Sequence, residues 1–233
     1  MKKSTFLLTL ALCATTAFST AFAAKVVAKA TITPHAVQEG VFKCNYPLVS
    51  DTKDAASNTA INAKIAESVM NFTAPFNKLV TQGNPISKID KKVNHKKITG
   101  SVDYTLTCNG NTLVSMILNK TVYVPQINGK TYTLNLQEGH TFNTEGTVIK
   151  AADWSQLAKI AGEQDPFSNA NIKESIVKTL AERGLTAVQD YESNLDMARS
   201  NYYVDKATNL HALFMPGLVA TEAAGWIDVQ LTK

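Results

Sequence analysis

The feature that most constrains this chain is a change of hydrophobic period near residue 100. Before it, Ile61, Ile65, Val69, Phe72, Phe76 and Leu79 recur at steps of 4, 4, 3, 4 and 3, which places them on one face of a helix. After it, Val102, Tyr104 and Leu106 alternate with polar neighbours, the pattern of a strand with one buried face. Asn109-Gly110 predicts a positive-φ turn and a hairpin returning through residues 113–124. A one-faced helix and a one-faced sheet satisfy each other by packing together. The expected class is therefore α+β, with an antiparallel sheet covered by an amphipathic helix in each of two small sub-domains.

The remaining punctuation refines that outline. Residues 37–49 read as one extended segment interrupted by Pro47, and the polar stretch 51–58 suits the start of the long helix. Pro75 lies within the helical pattern and predicts a kink or an end near Thr73. Residues 130–136 follow Asn128-Gly129 and extend the hairpin into a meander. Glu138-Gly139 and Glu145-Gly146 both read as turns, residues 147–149 as a short strand and 151–161 as a helix. Ile172, Ile176, Val177 and Leu180 mark a second amphipathic helix ended by Gly184, and residues 202–204, 211–215 and 225–231 read as closing strands. The soft boundary near Gly129 gives sub-domains of 24–128 and 129–233.

Residues 1–23 set the compartment. Lys2 and Lys3 precede an apolar run that ends on Ala21-Phe22-Ala23, the pattern of a cleavable export signal. Its apolar core is shorter than the roughly 20 residues needed to cross a bilayer, and no later stretch reaches that length, so no transmembrane segment is expected after cleavage. Leu12 stands before Cys13 where lipidation needs a small residue. The mature chain is expected in the periplasm or outside the cell.

In that compartment disulfides persist, so Cys44 and Cys108 are expected to pair. The bond would close a 64-residue loop (108 minus 44) and contribute roughly 4 kcal/mol by chain entropy. Without Lys2 and Lys3 the 23 basic residues become 21 against 19 acids. This balance, with Arg only at 183 and 199, gives no reason to expect nucleic acid. The densest basic run is Lys88, Lys91, Lys92, Lys96 and Lys97 with His95, opposed only by Asp90. It either meets anionic envelope polymer or lipid headgroups or is a solvated loop between helix and hairpin.

No nucleophile elbow, His-Glu-x-x-His helix or phosphate loop occurs. His35, His95, His140 and His211 lie in four separate segments, and a catalytic triad or metal centre requires convergence. His140 and Glu145 are the His–carboxylate pair considered for a metal or acid–base role, against a plain polar loop. No catalytic, metal or cofactor site is therefore assigned. A basic partner would need an acidic face built from Glu138, Glu145, Asp190, Glu192 or Asp196.

The order of Tyr46-Pro47, an amphipathic helix and the Asn-Gly hairpin leads to Ala151-Ala152-Asp153-Trp154. Tyr202-Tyr203-Val204, Leu213-Phe214-Met215-Pro216 and Ala223-Ala224-Gly225 follow. Over residues 37–231 this resembles the paired extracellular domains of unknown function found in lysozyme-responsive anti-sigma factors and beside some peptidoglycan deacetylase domains. The resemblance implies an extracytoplasmic binding or sensing module, not an enzyme, whose partner is a lysozyme-type muramidase or an anionic cell-wall polymer. It also points to Met215, Pro216 and Gly217 as partner contacts, with Gly217 standing where relatives carry a Tyr. An envelope hydrolase or deacetylase using His140, and a structural envelope protein, are the alternatives.

Overall fold

The computed structural model describes residues 29–82 and 93–232. The expected export signal, together with Lys88, Lys91 and Lys92 of the basic run, lies outside the described residues. The fold is α+β, built on a five-stranded sheet and a three-stranded sheet. The larger sheet has the order β1 (Thr31–Glu39), β2 (Phe42–Ser50), β3 (Thr99–Asn109), β4 (Leu113–Pro125) and β5 (Thr131–Asn143). Helix α1 (Ala55–Gln82) connects β2 to β3. A crossover of this kind returns the chain in the same direction, so β2 and β3 pair in parallel, Cys44 opposite Val102. The other pairs are antiparallel. The larger sheet is therefore mixed and not the purely antiparallel one expected.

Residues 37–49 form part of a hairpin and not one strand, because Gly40 turns the chain at φ 61°. The Asn77 amide of α1 clamps that turn, accepting from Val41 N at 3.0 Å and donating to the Glu39 carbonyl at 3.1 Å. Pro75 does not end α1. It is exposed, and on either side of it Phe72 and Phe76 pack on Phe42 with ring centroids 5.4 and 6.0 Å apart. That burial offsets a backbone cost of about 3 kcal/mol. The β3–β4 hairpin turns through residues 110–112 without any positive φ, closed by Gly110 N to the Leu113 carbonyl at 2.9 Å. Glu138-Gly139 is no turn: both residues sit within the unbroken register of β5.

Alternation along β4 divides two cores. Val114, Met116, Leu118 and Val122 join Phe142, Phe42, Ile61, Ile65 and Val69 beneath α1. Leu113 and Cys108 belong to the second core, with Trp154 and Leu157 of α2 (Ala151–Ala161) and Ile172, Ile176 and Leu180 of α3 (Asn169–Glu182). Val177 stays half exposed. The small sheet β6 (Tyr202–Val204), β7 (Leu210–Phe214) and β8 (Ile227–Gln230) completes that core, preceded by the one-turn α4 (Met197–Ser200). β6 lies against β5 at Gly139, where an added Cβ would collide with the Tyr202 carbonyl. Asn201 fixes the contact, accepting from Gly139 N at 2.8 Å and donating to the Gln137 carbonyl at 2.9 Å. The hydrogen-bonded larger sheet thus runs past residue 129, the expected boundary.

The expected Cys44–Cys108 disulfide is absent; both residues are buried thiols. Cys44 lies opposite Val102, and Cys108 stands six residues farther along β3, about 20 Å at strand rise. A disulfide spans at most about 7 Å between Cα atoms. The two cysteines also serve different cores. Burial, with the Glu39 carboxylate nearby, pushes the Cys44 thiol up to about 11.

Candidate functional site

Three arrangements stand out in the polar chemistry of the described residues. The first lies beneath α1. Lys120 shares the apolar parity of Met116, Leu118 and Val122, so its side chain enters the core and is 4% exposed. Its ammonium donates to the Ser68 carbonyl at 3.1 Å and to Ser68 Oγ at 2.7 Å, pairs with Glu138, and lies 5.8 Å from the Phe72 ring centre. Ser68 Oγ in turn donates to Glu138 Oε2 at 3.0 Å. The other Glu138 oxygen is 3.1 Å from His140 Nε2, and the His140 ring stacks parallel to Phe142. Burial alone would raise the Glu138 carboxyl, but His140 and Lys120 outweigh it and hold the group at about 2.

A serine beside a lysine resembles a nucleophile with its base. Here the ammonium gives its three N–H bonds to three oxygens and offers no lone pair. Ser68 also lies on the buried face of α1. The network therefore fixes α1 on the sheet. His140 meets Glu138 and not Glu145, which pairs with Lys53 at 2.6 Å.

The second arrangement centres on His211 of β7. Asp228 Oδ1 lies 2.9 Å from Nδ1, Asp205 Oδ2 lies 3.4 Å from Nε2, and the Tyr203 ring stacks on the imidazole at 4.9 Å. Tyr203 OH donates to the second Asp228 oxygen at 2.6 Å. The carboxylates occupy opposite ring nitrogens and cannot converge on one ion. Among the described residues no His, Cys, Asp and Glu cluster has metal-ligand geometry.

Burial alone would lower the His211 pKa, but Asp228 and then Asp205 outweigh it and raise it. A raised native value stabilises the fold fully below about pH 6.5 and loses that contribution as pH rises through the native pKa. Asp228→Asn is expected to flatten this decline in urea midpoints measured above about pH 6.5. Equal slopes for both proteins would contradict the assignment.

The third arrangement is the face of the larger sheet opposite α1. Near Ser115 and Gly139 it is covered by β6, where Val204 N donates to Ser115 Oγ at 2.9 Å. Farther along, the same parity presents Lys43, Asn45, Ser101, Asp103, Thr105, Asn119, Thr121, Thr133 and Asn135, all partly or fully exposed. Cross-strand bonds order these side chains. Asn45 donates to Asp103 at 2.9 Å, Asn119 to Thr105 at 3.2 Å and Thr121 to Asn135 at 2.9 Å. Tyr123 closes the row, 45% exposed. This is a flat array of amides and hydroxyls with one carboxylate, one ammonium and one aromatic ring.

The remaining expected contacts are dispersed. Lys96 and Lys97 are exposed on a 3-10 turn (His95–Lys97), and Met215, Pro216 and Gly217 lie on the turn after β7. No hydrogen bond or ion pair joins the two groups among the described residues. Four of the five acids considered for a basic partner are held in ion pairs. Glu138 pairs with Lys120, Glu145 with Lys53, Glu192 with Lys173 and Asp196 with Arg199. An open groove beside α2 is lined by Ser155, Gln156, Lys159, Ile160, Glu163 and Asp165, with Ser155 Oγ donating to Asp165 at 2.8 Å.

No helix among the described residues is long and apolar enough to cross a membrane. No family model matches the sequence, and no curated protein matches it. Solved structures do. A member of the DUF3298 family from Bacteroides fragilis superposes with a TM-score of 0.59 at 13% identity, covering 89% of this chain and 92% of that one. A DUF3298 family protein from Pseudomonas aeruginosa gives a TM-score of 0.46 at 8% identity, covering 87% and 88%. The chain has the fold of the Bacteroides DUF3298 structure across nearly its whole length, in line with the domains of unknown function that its sequence resembles.

Proposed function

We propose that this chain is an exported, non-enzymatic binding module of the cell envelope, and that its ligand is an anionic wall polymer of glycan type. The observation that carries the reading is the uncovered polar face of the larger sheet. Sugars are recognised through paired hydrogen bonds to hydroxyl and acetamido groups with an aromatic ring alongside. Asn45, Asp103, Asn119, Thr121 and Asn135 beside Tyr123 offer that chemistry on rigid strands.

Charge favours the polymer over a muramidase. Complementary interfaces gain rate and specificity from opposite charge, and lysozyme-type proteins are commonly basic. After loss of Lys2 and Lys3 with the export signal this chain carries a formal net charge of +2 (21 basic against 19 acidic residues), and four of its five candidate acids are already paired with cations.

The test is cosedimentation with isolated peptidoglycan, alongside bead-coupled lysozyme, at low and physiological salt. Saturable retention on the polymer at both salt concentrations, without release of soluble fragments, is expected. Saturable binding to lysozyme alone, or turnover of the polymer, would overturn the reading.

A further inference from the structure

The β4–β5 hairpin runs beyond the helix-covered part of the sheet and ends in an apolar tip. Ile127 at its turn is 70% exposed, with Tyr132, Tyr123 and Leu134 exposed behind it. The register opposes Tyr123 to Thr133 and Val124 to Tyr132, so Tyr123 projects from one face and Tyr132 and Leu134 from the other. A flat protein partner would cover one face only. A lipid interface surrounds an inserted tip on both sides, and it is where Tyr concentrates and apolar side chains gain most.

The backbone at the tip is suited to insertion, because unpaired peptide groups are costly in lipid. Gln126 N donates to the Lys130 carbonyl at 2.6 Å, Gly129 N to the Gln126 carbonyl at 3.1 Å, and Lys130 N to Asn128 Oδ1 at 3.1 Å. Among the described residues, the charges that flank the apolar group are basic. Lys130 is exposed within the turn. Lys96 and Lys97 are exposed beside it, since their 3-10 turn is tied to the hairpin by Asn94 N to the Pro125 carbonyl at 2.7 Å and by the Val93–Gln126 bridge. Residues 93–102 and 121–135 contain no acid, and none of the three lysines is in an ion pair among the described residues.

From this juxtaposition we infer that the β4–β5 hairpin tip docks on an anionic lipid surface, with Ile127, Tyr123 and Tyr132 entering the interface and Lys96, Lys97 and Lys130 meeting the headgroups. This surface meets the polar sheet face at Tyr123, but Ile127, Tyr132 and the three lysines lie outside that face, so the inference stands whether or not the chain binds wall polymer.

The test compares the full chain with its Ile127→Asp and Lys130→Ala variants by cosedimentation with vesicles of zwitterionic lipid, with and without anionic lipid. Segments common to all three proteins cancel in the comparison. Ile127→Asp is expected to weaken partitioning to anionic vesicles about tenfold or more, and Lys130→Ala about fivefold. Salt should weaken the wild type. An Ile127→Trp variant should show fluorescence quenched by brominated acyl chains in anionic vesicles. Equal partitioning of the wild type and Ile127→Asp, no preference for anionic lipid, or an unquenched Trp would overturn the proposal. So would loss of wall-polymer retention, rather than vesicle binding, in Ile127→Asp.

Discussion

Glu138→Ala is expected to destabilise the fold by about 3 kcal/mol, read as a lower urea midpoint. The reason is the partner left behind. Lys120 is 4% exposed beneath α1 and keeps only the two Ser68 oxygens once the carboxylate is gone. Glu138 itself is 42% exposed, so water screens part of the loss and the lower end of the range for a broken buried pair applies. Replacing both charges, Lys120→Met with Glu138→Leu, should recover most of the stability, because no charge is then buried unpaired.

The pH dependence carries the same signature. A native carboxyl held at about 2, against an ordinary value of 4.5, contributes stability present above the ordinary value. That contribution disappears as pH falls through the native one. Glu138→Gln should remove this acid limb. An unchanged limb, or a double replacement as unstable as Glu138→Ala, would contradict the pairing.

Gly139→Ala should be the most damaging single-methyl addition, costing about 3 kcal/mol. Its Cβ would meet the backbone of Tyr202, which has no rotamer to move aside. The contact joins the two sheets, so a shift there would break Gly139 N to Asn201 and Val204 N to Ser115 together. Gly129→Ala is the control, since nothing lies within 4 Å of its added Cβ. It should lose only what its φ of 85° demands. Comparable losses at both positions would show that the sheets are not held at Gly139.

Much of this architecture is legible in residue periodicity. The helical face from Ile61 to Leu79, the β3–β4 hairpin, α2 at residues 151–161 and β6 at residues 202–204 all follow from local pattern. The failures have physical causes. Pro75 breaks a helix only when nothing is buried beyond it, and here Phe76 is anchored on Phe42. Glu138-Gly139 carries turn residues, yet Leu134, Leu136, Glu138, His140 and Phe142 keep one parity through it. That period was the stronger signal.

Lys120 was also visible in principle, as a charge at an apolar parity between Leu118 and Val122. His211 was not, because Asp205 and Asp228 reach it only through the pairing of β7 with its neighbours. The expected cysteine pairing rests on the compartment and not on any spacing of the two residues. It failed because β2 and β3 run parallel in a register that separates the two thiols.

The central claim rests on the uncovered sheet face, and Asp103 and Asn119 stand opposite each other at its middle. The decisive measurement is a sedimentation isotherm on isolated peptidoglycan at physiological salt, for the wild type and for the double variant Asp103→Ala, Asn119→Ala. Each lost hydrogen-bonding group is worth about 0.5–1.5 kcal/mol, so binding should weaken about fivefold or more, while the urea midpoint falls only by what the exposed Asn45–Asp103 and Asn119–Thr105 bonds contribute. An isotherm identical to the wild type, or no saturable binding by either protein, would contradict the account.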